Sequence, residues 1–156
     1  MLLHQLIENT ANRTPAADAL QFRDETWSYR RLADEVERFA CSLAGLSVAS
    51  SDRIAMFLDK RFETVIGTFG TAAAGCVFVP VNPILKPSQV GHILTDCNVR
   101  VLVTSAARLT ALAEMLGDCP DLDHVILTDG DPADFSIAGV SIHAWAQLEP
   151  SGSPSK

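Results

Sequence analysis

Four short runs rich in β-branched and aliphatic residues, at 53–58, 77–79, 99–104 and 124–128, alternate with stretches whose apolar residues return at helical spacing. This alternation constrains the chain most, because a strand–helix–strand unit brings its second strand back parallel to the first. The expected class is α/β: a doubly wound arrangement of parallel-sheet layers flanked by helices. A last short strand is expected over 140–142 and a helical turn over 144–148. The segment 61–83 is the most informative part. Phe62, Val65, Ile66, Phe69, Ala72 and Ala73 keep helical spacing, while Gly67, Gly70 and Ala72-Ala73-Ala74 thin the helix surface for close approach by another backbone. That backbone is expected to belong to a partner outside this chain. Gly75 suits the left-handed residue that ends a helix. Val77-Phe78-Val79 reads as a buried strand, stopped and stiffened by Pro80 and Pro83.

Upstream, Leu2, Leu3, Leu6, Ile7 and Ala11 mark an amphipathic helix that must end before Thr14-Pro15. Residues 19–23 and 26–28 alternate around an Asp24-Glu25 turn, which predicts a small N-terminal β-hairpin. Ser28 can cap a helix carrying Tyr29, Leu32, Val36, Phe39, Ala40 and Leu43 and ending near Gly45. Pro87 suits the first turn of a helix with Val90, Ile93, Leu94 and Cys97 on one face. Ser105 can cap another, with Leu109, Leu112, Ala113 and Leu116, closed by Gly117. Residues 1–148 form the expected structured region, and 149–156 read as a linker or frayed tail.

The 156 residues suffice for one domain with a real core. A net charge of -7 argues against nucleic acid, which needs a basic face. The adjacent basic pairs Arg30-Arg31 and Lys60-Arg61 read as solvated helix ends. Neither a signal peptide nor a membrane-spanning stretch is visible, and Cys41, Cys76, Cys97 and Cys119 form no C-x-x-C pair. Reduced thiols in a cytoplasmic protein are the expectation. His4, His92, His124 and His143 are as scattered, so no metal site is expected.

Ligands of open parallel sheets bind beyond the carboxyl ends of the strands. Here those ends are 58–60, 80–83, 104–105 and 128–129, and none carries a phosphate-cradling glycine motif or a nucleophile elbow. Asp59 could be phosphorylated as in a receiver domain, but no adjacent acidic pair follows an earlier strand to hold Mg²⁺; a solvated helix-entry charge is the favoured reading. Asn82 reads as turn chemistry and Ser105 as a helix cap, each ahead of a ligand role. Trp27 and Tyr29 are expected to pack beside the hairpin; Trp145 stands too near the tail to assign. Ser151-Gly-Ser-Pro-Ser-Lys156 has the composition of a phosphate loop but no strand to aim it, so the linker reading is preferred. No catalytic residue is identified, and the cofactor-binding residues are unknown.

Ser28-Tyr29-Arg30-Arg31-Leu32 matches a (T/S)-Y-x-x-L segment, and Ala74-Gly75 through Pro80 and Pro83 matches A-G-x-x-x-x-P-x-x-P. With Asp52-Arg-Ile-Ala-Met-Phe57, these motifs resemble the start of the AMP-forming acyl-CoA synthetases, whose superfamily includes peptide-synthetase adenylation domains and luciferases. The resemblance spans roughly residues 1–148 and implies the N-terminal subdomain of the adenylate-forming enzyme fold. Val81-Asn82-Pro83 is more similar to acyl-CoA ligases than to amino-acid adenylating domains, which tend to have Asp in that turn. Residues 59–63 and 82–87 look most like a bacterial branch associated with exosortase and exopolysaccharide loci.

The resemblance implies a two-step reaction. A carboxylate attacks the α-phosphate of Mg·ATP to give acyl-adenylate and pyrophosphate, and the CoA thiol then displaces AMP. The family's phosphate loop, Mg²⁺-binding Glu, ribose-binding Asp and mobile-domain Lys match no position here. The chain is therefore expected to be an N-terminal fragment, inactive alone, with ATP, Mg²⁺ and CoA serving the full-length enzyme and the phosphate loop following soon after Lys156. Its partner would be the remainder of that enzyme, and exposed apolar surface would favour self-association. The alternative is a stand-alone, flavodoxin-like, non-catalytic binding module or split-gene partner.

Overall fold

The computed structural model describes residues 2–152, and its described residues divide into two compact units. The first holds residues up to Ser50, Lys60–Cys76 and those from Glu149 onward; the second holds Ser51–Asp59 and Val77–Leu148. The expected tail over 153–156 lies outside the described residues.

The first unit opens with α1 (Gln5–Arg13), which ends at Thr14 as the following proline requires. Only Ile7 and Ala11 of its apolar stripe are buried, while Leu2, Leu3 and Leu6 are exposed. Strands β1 (Asp18–Phe22) and β2 (Glu25–Ser28) pair antiparallel as the hairpin. Its turn is Arg23-Asp24, one residue earlier than expected, with Arg23 in the left-handed region at φ 54°. No glycine advertises that conformation, which is why the sequence misplaces the turn.

Helix α2 (Tyr29–Gly45) begins where the Ser28 side-chain oxygen accepts from the Arg31 amide. Its buried stripe of Leu32, Val36, Phe39, Ala40 and Leu43 packs against α3 (Phe62–Ala73). The close approach that the small residues allow is thus met within the chain on the Gly70 side, while Val65, Phe69, Ala72 and Ala73 stay half-buried. A Cβ at Gly70 would stand 2.7 Å from Phe39 Cδ1 and 3.1 Å from the Val36 carbonyl oxygen, so α2 already occupies the space that glycine opens. Gly75 ends α3 as expected, at φ 74°, with Cys76 N donating to the Thr71 carbonyl and Gly75 N to that of Ala72. At the other end of α3, the Trp27 indole stacks on Phe62 at 4.2 Å and 7°, and the Arg31 guanidinium lies 3.9 Å above Trp27. Glu25 accepts from Trp27 Nε1 at 2.7 Å and pairs with Arg31 at 3.0 Å, which fixes the hairpin onto the helices.

In the second unit, among the described residues, β3 (Arg53–Phe57), β4 (Val77–Pro80), β5 (Val99–Thr104), β6 (His124–Leu127) and β7 (Ser141–Ala144) form one parallel sheet in the order β4-β3-β5-β6-β7. Counted from β3 this is 2-1-3-4-5, the flavodoxin-like doubly wound order. Strand β4 is an edge strand, which corrects its reading as buried: Val77 is 44% exposed, and Pro80 sits where a missing N–H costs least. The last strand begins at Ser141 rather than Val140, and a 3₁₀ turn, Trp145–Gln147, follows it.

Alternate residues Ala55, Phe57, Leu102, Val125 and Leu127 form a core with Val90 and Leu94 of α4 (Pro87–Asp96) and Leu109, Leu112 and Leu116 of α5 (Ala106–Leu116). The intervening residues Ile54, Met56, Val101, Val103 and Ile126 are buried as well, as a parallel sheet requires of both faces. No helix among the described residues is long and apolar enough to cross a membrane.

Gly70→Ala is expected to destabilise the protein by about 1–3 kcal/mol, because the α2–α3 contact cannot admit the methyl. Gly91 in α4 makes the control: its added Cβ would meet only the Met115 side chain, at 3.6 Å and beyond. Gly91→Ala is expected to gain roughly 0.5–1 kcal/mol from helix propensity. Urea unfolding of both variants measures the contrast, and equal effects would refute it.

Candidate functional site

The strand order reverses between β3 and β5, and in sheets of this kind the crevice outside the carboxyl ends at that point is the usual ligand position. Arg108, in the first turn of α5, organises it. Its Nη2 pairs with Asp59 Oδ1 at 2.8 Å, its Nη1 donates to the Pro83 carbonyl at 2.8 Å, and its guanidinium carbon lies 4.6 Å from the Phe57 ring centroid. The Arg108 side chain is 20% exposed and that of Asp59 74%, so the cation is the anchored member. One side chain thus ties the ends of β3 and β4 to the start of α5. Planar, delocalised Arg suits this combination of stacking and forked donation better than Lys would.

The other expected positions are occupied by local chemistry. Ser105 Oγ accepts from the Arg108 amide at 3.4 Å, the cap expected of it. Asp129, at the end of β6, accepts from the Ala106 amide at 2.8 Å and so takes another free donor of the same helix end. Gly130 follows at φ 78°, where a Cβ would lie 2.7 Å from Ala106 Cβ. Asn82 Oδ1 accepts from the Ile84 amide at 3.1 Å, the turn chemistry read from sequence. Thr104 Oγ1, fully buried, donates to the Phe57 carbonyl at 3.0 Å.

These residues meet at one edge, as expected of strand ends, but they serve one another. Asp59 is engaged by Arg108, and no cluster of three His, Cys, Asp or Glu side chains exists among the described residues. The polar groups of this edge are engaged with one another. Its arginine is already bonded to a carboxylate and a carbonyl, and Asp59 and Asp129 add negative charge beside it.

Outside this edge, Trp27 packs beside the hairpin as expected, and Trp145 proves to be buried. Burial, and secondarily Glu37, pushes the Cys41 thiol above its usual range, which disfavours the nucleophilic thiolate. Cys119 is buried and accepts from Thr95 Oγ1 at 3.7 Å. Ser151 Oγ donates to the Glu149 carbonyl at 3.5 Å, and Ser153–Lys156 of the loop-like tail lie outside the described residues. The sequence reading missed one pair: His124 Nδ1 and His143 Nε2 stand 3.1 Å apart. They are 19 positions apart on separate strands, and no short motif signals the contact. Burial, and then His124, pushes His143 below the usual histidine range.

Residues 7–154 match the family model of the AMP-binding enzymes. The chain belongs to that family. It is 31% identical over 119 residues to tyrocidine synthase 3 of Brevibacillus parabrevis, covering 76% of this chain and 2% of the synthase. It is 32% identical over 117 residues to the N-(5-amino-5-carboxypentanoyl)-L-cysteinyl-D-valine synthase of Streptomyces clavuligerus, covering 74% of this chain and 14% of that one. Among solved structures, VinN, determined with 3-methylaspartate, superposes with a TM-score of 0.74 at 27% identity, covering all of this chain and 40% of VinN. Coronafacic acid ligase of Pectobacterium brasiliense gives 0.88 at 17% identity, covering all of this chain and 31% of the ligase, which is a likeness of fold. The chain thus spans a small part of its relatives, and its place in their fold is the N-terminal region of an adenylate-forming enzyme.

Arg108→Met is expected to lower stability by about 2 kcal/mol, since it removes two charge-assisted hydrogen bonds and leaves the Pro83 carbonyl and Asp59 without that donor. Asp59→Asn, at the exposed end of the pair, should cost no more than roughly 1 kcal/mol. Thermal unfolding of the two variants measures the asymmetry; a larger loss for the Asp59 variant would show that the carboxylate is the anchor.

Proposed function

We propose that this chain is the N-terminal portion of an ATP-dependent, AMP-forming acyl-CoA ligase and performs neither step of that reaction alone. The family match over residues 7–154 carries the reading. The carboxyl edge supports the inactivity, because its Arg108, Asp59, Ser105 and Asp129 are committed to holding strand ends and a helix start. In the full-length enzyme this region would supply a packed sheet layer and part of the substrate-cavity wall. ATP, Mg²⁺, CoA and a carboxylic acid would be bound with residues from the remainder, in the cytoplasm.

Asn82, where amino-acid adenylating domains tend to have Asp, favours an acyl substrate, and residues 59–63 and 82–87 favour the exosortase-associated branch. The turn itself does not explain the amide, since a carboxylate could accept from the Ile84 amide equally well. A second reading, adenylation of an amino acid, is favoured by the peptide synthases among the relatives. The flavodoxin-like strand order gives the stand-alone module a plausible shape, and a monodisperse monomer in sedimentation would favour it.

Pyrophosphate exchange tests the proposal. The purified chain with Mg·ATP and a panel of acyl and amino acids should stay at background, and robust exchange would overturn the claimed inactivity. The same panel applied to a full-length enzyme bearing this region decides between acyl and amino acids.

A further inference from the structure

We propose that His124 and His143 form a two-histidine site for a divalent transition-metal ion, with Cu²⁺ bound most tightly. The site lies on the sheet of the second unit. In register, His124 stands opposite Ser141 and Ile126 opposite His143, so the two histidines share one sheet face, two positions apart on adjacent strands. Strand β7 is an edge of this sheet, and both rings are half-buried, which leaves room for water beside them.

The distance supports the assignment. Imidazole nitrogens bind such metals at about 2.0–2.1 Å, and two of them stand 3.1 Å apart when the angle at the metal is about 98°. That angle lies between the square-planar and tetrahedral values, so the separation suits chelation once each ring turns from facing the other to facing the ion. In the structure one facing nitrogen donates its proton to the other. On binding, the donor ring moves that proton to its remote nitrogen, and both lone pairs then face the ion.

The chemistry of the donors sets the class of ion. Imidazole suits Cu²⁺, Ni²⁺ and Zn²⁺, with Cu²⁺ highest in the usual order, and is a poor match for Mg²⁺ or Ca²⁺. Since no cluster of three ligating side chains occurs among the described residues, water completes the coordination. The net charge of -7 draws cations to the protein. A bound ion would pin the edge strand β7 to β6 and so stabilise the fold in proportion to its occupancy.

The test uses the full chain and Cu²⁺ alone, followed by the imidazole resonances. Substoichiometric Cu²⁺ should broaden the His124 and His143 ring signals before those of His4 and His92, which act as internal controls in the wild-type protein. Zn²⁺ should raise the thermal midpoint in a concentration-dependent way, and His143→Asn should weaken Cu²⁺ binding at least tenfold. Simultaneous broadening of all four histidines, or unchanged affinity in a folded His143→Asn protein, would overturn the site.

Discussion

A parallel sheet cannot leave a face in water, and the second unit is built around that constraint. Along β3, β5 and β6 nearly every residue is apolar and buried, in both registers of the alternation. Those strands therefore offer few polar side chains for chemistry. Thr104 is the fully buried polar residue on these strands, and its hydroxyl donates to the Phe57 carbonyl. Function in such a layer is pushed to the strand ends, where side chains can reach water.

At the carboxyl ends the same economy holds. Arg108 draws together residues 25 and 49 positions away, at Pro83 and Asp59, and Asp129 closes the helix end beside it. Each interaction answers a need created by the fold: an ending strand, a proline-bounded turn, an unsatisfied helix terminus. The edge is ordered by its polar groups and is not armed by them. The relatives extend well beyond the segment this chain matches.

What the sequence made legible was local. Gly75 after a small-residue helix, Ser28 and Ser105 before apolar stripes, and Thr14-Pro15 each specify one chain event within a few residues, and each is found where expected. What it hid was order and distance. Val77-Phe78-Val79 has the composition of a buried strand, and only the strand order reveals an edge. Gly70 announces a close approach without naming Phe39 as the visitor. The Asp59–Arg108 pair and the His124–His143 pair carry no spacing signature at all, because the first joins a strand exit to a helix start and the second joins residues brought together by the β6–β7 register.

The small-residue helix carries the wider lesson. Its glycines were compatible with a partner outside the chain, and the inference from a thin helix surface to a missing subunit is natural when a sequence covers part of a larger enzyme. The α2–α3 contact shows the Gly70 side already filled, since no methyl fits between Gly70 and Phe39. Close packing of this kind is satisfied within the first unit, while Val65, Phe69, Ala72 and Ala73 of the same helix remain half-buried. The most exposed large apolar residues among those described are Leu2, Leu3 and Leu6 before and within α1, Val77 on the sheet edge, and Ile84 in the turn after it. Those margins, where burial is least complete, are the most exposed apolar surface this chain offers for contacts beyond itself.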